Sequence, residues 1–311
     1  VEAVRSEGDA DVYRYNKLID RADLTQSGAK VTPAEIQTAY EAVEPEVLAA
    51  LRKAIANVEQ FHREQRPKSW LTYREHGSIL GQNITPLDSV GLYVPGGTAG
   101  YPSSVIMNAV PAKVAGVKNI VMVAPPGRDG RLNPYVLVTA NEIGIENIFK
   151  LGGAQAVAAL AFGTETVPKV DKITGPGNIF VTLAKKSVYG HCDIDMLAGP
   201  SEILIIADKN ANPAYIAADM LGQAEHDPLA SSILLTDDAQ IAVRTIAELE
   251  RQLAVLPRAE IAANALRKNG QIIVCEDLMQ AAELANEAAP EHLEVLTAAP
   301  FELLPYLRHA G

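Results

Sequence analysis

Two short stretches carry side chains that could do chemistry. In LGQAEHDP (221–228) Gln223 and His226 stand three residues apart, and in APEHLEV (289–295) Glu291 and His292 are adjacent. Positions i and i+3 of a helix project from one face, so an amide oxygen and an imidazole there can converge on one ion, with Asp219 on the same stripe a turn earlier. Imidazole suits zinc or another first-row metal, whereas a glutamine oxygen is an unusual ligand. A carboxylate beside an imidazole can divide acid–base labour, the ring moving protons near neutral pH and the carboxylate orienting water. Each feature also has a plain structural explanation. A lone helical histidine is more often a satisfied packing residue than a ligand, and the Glu291–His292 pair fits a solvated polar connection equally well. His62, His76, His191 and His309 take the structural reading.

The elements that must position these groups are marked by their punctuation. Asn212 can cap the helix before Gln223, Pro213 fits its first turn, and Pro228 forbids its continuation. Pro290 ends the helical stretch LMQAAELANEAA (278–289), so Glu291 and His292 fall on a connection leading into a strand. Upstream, residues 33–64 have helical periodicity through Ile36, Ala39, Val43, Val47 and Leu51. From residue 86 the texture changes to short β-branched runs at 89–94, 119–125, 146–151 and 172–175, and again at 203–208, 232–237, 271–277 and 292–297, separated by helical segments. That alternation is the sequence form of βαβ units on parallel sheets. Three parts follow: an N-terminal helical segment (1–85), a first α/β domain (86–200) and a second (201–311).

Glycine-rich joints close several strands of the first α/β block. Gly96, Gly97 and Gly100 follow the run at 89–94; Gly152 and Gly153 follow 146–151; Gly175 and Gly177 follow 172–175. Such turns let backbone N–H groups approach a ligand and aim a helix N-terminus at a phosphate. The GxGxxG order is absent, and a tight strand-to-helix turn needs glycine with or without a ligand. Three in one block shift the balance toward a nucleotide. Gln155 and Asn178, where helices begin beside these turns, suit ribose or nicotinamide hydrogen bonding and suit helix capping as well.

Bulk properties narrow the function classes. The 311 residues are 48% hydrophobic, enough for one large core or two smaller ones, and the net charge of −11 with dispersed lysines and arginines argues against nucleic acid and anionic membrane partners. No apolar run approaches the roughly 20 residues of a bilayer span, and the first residues lack a basic-then-apolar signal, so a soluble, cytoplasmic protein is expected. Only two cysteines occur, Cys192 and Cys275, without a CxxC pair, which leaves no disulfide framework or thiolate zinc knot.

Five stretches together resemble the histidinol dehydrogenase family: VGLYVPGGTAGYPSSVIMNAVPAKVAGV (90–117), LGGAQAVAALAFGTETVPKVDKITGPGN (151–178), IDMLAGPSEILIIAD (194–208), ADMLGQAEHDP (218–228) and NEAAPEHLEV (286–295). The resemblance runs in order through nearly the whole chain. It implies an α/β fold of two incomplete Rossmann-like domains, similar to aldehyde dehydrogenases, behind an N-terminal helical segment. It also implies oxidation of L-histidinol to L-histidine through an aldehyde-level intermediate by two hydride transfers to NAD, the last step of histidine biosynthesis, with Zn2+ holding the substrate's amine and imidazole. By position, Gln223 and His226 match two zinc ligands. His292 matches the group that takes the alcohol proton and Glu291 the one that activates water. Tyr93, Gln155 and Asn178 match NAD contacts. Ser201 matches a substrate contact, with Gln223, His226 and His292 also lying against the substrate. The family forms homodimers with shared active sites, and its zinc sphere is completed by an aspartate and a partner-subunit histidine from a more C-terminal segment. The residues here run to Gly311, before either, so by themselves they are expected to bind zinc poorly and turn over little. Two other expectations stand beside the first: a related zinc- and NAD-dependent dehydrogenase of another small polar alcohol, and a non-catalytic nucleotide-binding module in which Glu291 and His292 are surface groups.

Overall fold

A computed structural model of the chain describes residues 1–96, 100–197 and 199–311; Gly97 of the first glycine joint lies outside the described residues. The chain divides into two compact units, residues 1–197 and 198–311.

In the first unit, helices α1 (Glu2–Glu7), α2 (Asp9–Tyr15), α3 (Pro33–Ala42) and α4 (Pro45–Glu64) precede a two-stranded hairpin, β1 (Trp70–Tyr73) and β2 (Ile79–Gln82). A π-helical turn at Asn16–Asp20 continues α2. Thr32 and Glu35 form a reciprocal capping box that starts α3, with Pro33 in its first turn. The apolar stripe of α4, including Val47, Leu48, Leu51, Ile55 and Val58, packs into the core, as its periodicity predicts. Five parallel strands follow, β3 (Ser89–Tyr93), β4 (Asn119–Ala124), β5 (Asn147–Lys150), β6 (Lys172–Thr174) and β7 (Asp193–Ile194), alternating with α5 (Pro102–Ala115), α6 (Pro134–Ile143), α7 (Gly153–Phe162) and α8 (Ile179–Val188). Their order in the sheet is β5-β4-β3-β6-β7. Leu92, Met122 and Ile148 fill one face beneath α4, α5 and α6, while Val121, Val123 and Phe149 fill the other beneath α7 and α8. Burying each such side chain contributes about 1.5–3 kcal/mol. The order reverses direction at β3, which pairs with β4 on one side and β6 on the other. Ligands of open parallel sheets bind at the carboxyl ends of strands flanking such a reversal.

The hairpin β1–β2 is a departure from the helical segment expected over residues 1–85. Its strands pair in antiparallel register and are exposed on both faces, with Leu71 and Tyr73 at 70% and 77% exposure. With no buried face there is no period-two alternation to read in the sequence.

The second unit has four parallel strands, β8 (Glu202–Ala207), β9 (Ser231–Thr236), β10 (Gly270–Val274) and β11 (His292–Leu296), with α9 (Pro213–Ala224), α10 (Ala239–Leu253), α11 (Ala259–Asn269), α12 (Leu278–Ala288) and α13 (Pro300–Leu303). The order is β10-β9-β8-β11. Alternate residues of β8 point to opposite faces: Ile203, Ile205 and Ala207 meet Ile216 and Met220 of α9, whereas Leu204 and Ile206 meet Ala281 and Ala285 of α12. Among the described residues, no helix is long and apolar enough to cross a membrane.

Candidate active site

In the second unit the candidate groups gather at the amino edge of the sheet. Helix α9 links parallel neighbours β8 and β9, so it runs back along the sheet and ends where the strands begin. Asn212 caps its start by accepting from the Ala214 N–H at 3.0 Å. Beyond its end, the His226 N–H donates to the Gln223 carbonyl at 3.1 Å, and Asp227 closes the turn by accepting from the Leu229 N–H at 2.8 Å. His226 is exposed and Gln223 half-buried. Ser201 immediately precedes β8, and its carbonyl accepts from the Ser231 N–H at 3.1 Å.

Glu291 and His292 stand at the mouth of β11, which pairs with β8 so that His292 lies opposite Ile203 and Glu294 opposite Ile205. Residues paired this way share a face, so His292 and Glu294 lie on the side that α9 covers. A contact between the two elements locates them: Glu294 meets Asp219 of α9, and burial first, then the Asp219 carboxyl, raises the Glu294 carboxyl above its ordinary range. Stepping from Glu294 to His292 moves about 6.6 Å toward the amino edge, and stepping one turn from Asp219 to Gln223 moves about 6 Å the same way. Gln223 and His292 therefore sit at one level of the sheet. The Glu291 carboxylate accepts from the Glu202 N–H at 3.3 Å, and its other oxygen lies 3.9 Å from His292 Nε2, too far for a hydrogen bond. Both side chains are about half exposed, so the ring and the carboxylate are each available to a bound molecule. Ser201, Gln223, Glu291 and His292 thus occupy one edge, with His226 just past the end of α9.

Among the described residues no group of three His, Cys, Asp or Glu is placed to hold a metal. The imidazole of His226 is a donor chemically suited to a zinc ion, whereas the amide oxygen of Gln223 is an unusual one, and two donors would supply half of a tetrahedral sphere.

The cofactor candidates of the first unit lie at the carboxyl ends of its strands. Tyr93 ends β3 and is buried; its hydroxyl accepts from the Gly153 N–H at 3.0 Å. Gln155, in the first turn of α7, is also buried and donates from Nε2 to Asp20 at 3.3 Å. Tyr93 and Gln155 are therefore brought together around the turn at Gly153. Asn178 caps α8, accepting from the Phe180 and Val181 N–H groups at 3.1 and 3.2 Å, which commits its oxygen and leaves its amide N–H groups as donors. At the end of β6 the buried Thr174 hydroxyl has no hydrogen-bond partner among the described residues. A cavity of about 650 Å3 opens at the ends of β3 and β4, lined by Asp20, Gly96, Pro125, Arg128 and Arg131 among others. The cysteines are structural: burial pushes the Cys192 thiol up to about 11, and it donates to the Val170 carbonyl at 3.3 Å.

Sequence reasoning missed Asp20, because nothing in the local pattern places a residue of the N-terminal helical segment against Gln155. Burial pushes its carboxyl from 3.8 up to about 6. The folded state thus disfavours the charged form, so this group's own contribution to stability is most favourable below about pH 4, falls as pH rises through about 6, and levels off above. Asp20→Asn keeps an acceptor for Gln155 and removes the charge. It is expected to stabilise the protein by about 1–2 kcal/mol near pH 7, after discounting for solvent screening, and by almost nothing near pH 4, as read from denaturant midpoints at the two pH values.

Two parallel-sheet units, one closing its strands in glycine turns and one with an acid–imidazole edge, define an α/β fold of the aldehyde-dehydrogenase-like kind. An acetylating aldehyde dehydrogenase from Geobacillus thermoglucosidasius is similar in fold alone, with a TM-score of 0.52 at 14% identity, covering 99% of this chain and 86% of that one. The chain belongs to the histidinol dehydrogenase family, whose model matches residues 1–311. It is 55% identical to the histidinol dehydrogenases of Halalkalibacterium halodurans and Heliobacterium mobile over its whole length and 73% of theirs. The crystal structure of histidinol dehydrogenase from Elizabethkingia anophelis is similar with a TM-score of 0.96 at 41% identity, covering all of this chain and 71% of that one. The chain is thus a member of an oxidoreductase family of histidine biosynthesis.

Proposed function

We propose that the chain oxidises L-histidinol to L-histidine with NAD as electron acceptor and a zinc ion as substrate anchor, the first unit holding the cofactor and the second the metal and catalytic groups. The observation that carries this reading is the shared edge on which His292, Glu291 and Ser201 stand level with Gln223 at the end of α9. Tyr93, Gln155 and Asn178 are the residues that would hold NAD, which when bound accepts two electrons at each oxidation. Gln223 and His226 would hold zinc, which when bound fixes the amine and imidazole of histidinol.

His292 takes the proton of the alcohol oxygen as the carbon is oxidised to the aldehyde level. Glu291, held by the Glu202 N–H, then takes a proton from the water that adds to the aldehyde carbon. His292, having passed the first proton to solvent, takes the one remaining hydroxyl proton as the hydrate monoanion is oxidised to the carboxylate. Each full turnover so consumes one water and two acceptor molecules and releases three protons. Retaining the reactive aldehyde between the steps keeps it from solvent. Treating the full-length protein with a chelator is expected to lower turnover at least about 100-fold, because correct positioning supplies several kcal/mol of the barrier reduction, while NAD affinity measured by equilibrium dialysis stays within about twofold. Loss of NAD binding together with turnover would overturn this division of labour.

We further infer a homodimer with shared active sites, working in the cytoplasm as a biosynthetic enzyme. The exposed apolar hairpin β1–β2, with Trp70, Leu71, Tyr73, Ile79 and Leu80 uncovered, supports the dimer, since a two-stranded ribbon is marginal without a partner surface.

A further inference from the structure

Lys185 is a charged side chain buried within the first unit, only 4% exposed. It sits in the last turn of α8, and its Nζ donates to the Gly175 carbonyl at 3.1 Å and pairs with Asp195. Asp195, just after β7, uses its second oxygen to accept from the Gly175 N–H at 2.8 Å, while the oxygen that meets Lys185 also accepts from the Met196 N–H at 2.6 Å. Both polar groups of one residue, Gly175, are therefore gripped by a single ion pair. A Cβ at Gly175 would sit 2.1 Å from the Tyr93 carbonyl oxygen, and the residue has φ +118°. The clamp thus fixes the turn between β6 and α8 against the end of β3, three residues ahead of Asn178.

Taking a lysine and an aspartate out of water costs several kcal/mol, and a packed apolar pair in the same space is often as stable or more so. What an ion pair supplies here that an apolar pair does not is hydrogen bonding to a specified peptide group. We propose that Lys185 and Asp195 are positioning residues for the dinucleotide: by holding both sides of Gly175 they set the path of residues 175–178, and so the place from which the Asn178 amide N–H groups meet the cofactor. The inference rests on the reading of NAD as cofactor.

The test is steady-state kinetics of the full-length protein with Lys185→Met, varying NAD and histidinol separately, beside wild type. The expected result is a rise of about tenfold or more in KM for NAD, with kcat and KM for histidinol within about threefold of wild type, the pattern of lost ground-state binding. A merely structural role would lower the folded fraction and hence kcat without moving KM for NAD. A Lys185→Met enzyme that saturates with NAD as wild type does overturns the clamp. Wild type that fails to saturate with NAD overturns the cofactor reading itself, and the proposal with it. If Lys185→Met does not fold, Asp195→Asn carries the test: it keeps an acceptor for the Gly175 N–H and removes the charge that orients Lys185. A rise of about threefold or more in KM for NAD supports the clamp, and an unchanged value overturns it.

Discussion

Replacing His292 by asparagine is expected to lower kcat for histidinol oxidation about 10²–10⁴-fold, the range that a positioned general base contributes. That corresponds to roughly 3–5 kcal/mol of transition-state free energy. Because the side chain is more than half exposed, the same substitution should change the denaturation midpoint hardly at all, since exposed positions away from packing features shift stability by about 0.5 kcal/mol or less. Activity and stability therefore separate. A folded His292→Asn protein with unchanged turnover would reduce Glu291 and His292 to surface groups and leave only the nucleotide-binding interpretation standing.

The second large effect is on stability. Gly175→Ala adds a Cβ 2.1 Å from the Tyr93 carbonyl oxygen at a residue with φ +118°. Neither a rotamer change nor a flexible neighbour can relieve that approach, because the obstructing atom is backbone. Overpacking and a disfavoured backbone region each cost about 1–3 kcal/mol, so a loss of about 2–5 kcal/mol is expected in chemical denaturation of the purified protein. By contrast, Gly28→Ala meets nothing within 4 Å and, although its φ is also positive, should cost about 1–2 kcal/mol from backbone strain alone. Equal losses at the two glycines would remove the close-approach argument.

Much of the fold was legible because each parallel strand is a short buried apolar run bounded by turn residues. The eight runs read from the sequence became β3 to β6 and β8 to β11. Asn212, Pro213 and Pro290 also mark real boundaries, since a cap and a missing N–H act locally. What was not legible depends on contacts between distant positions. The hairpin at 70–82 has no buried face to impose a period. Lys185 looks, in sequence, like a solvated lysine near a helix end, and only the return of the chain through β7 brings Asp195 beneath it. Asp20 reaches Gln155 across 135 residues. The glycine joints were ambiguous for a related reason: a Cβ at Gly96 or Gly152 would strike Pro125 at 2.4 Å, so the chain's own packing requires glycine there whether or not a ligand also does. For the candidate site, spacing identified which side chains share a helix face or a strand mouth and residue type gave Glu291 and His292 an acid–base reading, while the roles of Ser201 and Tyr93, and which proton each of the pair moves, came from resemblance to a family.

The pairing of β11 with β8 has a consequence for how this site can change over generations. Side chains along a strand alternate between faces, and here Leu293 and Val295 occupy the α12 side while His292 and Glu294 occupy the α9 side. Loss or gain of a single codon within β11 would force a choice between burying the wrong set and turning the imidazole away from Gln223. Point substitutions can retune such a pocket by degrees, whereas a change in length there acts as a switch, and natural variation should accumulate in letters while the count stays constant.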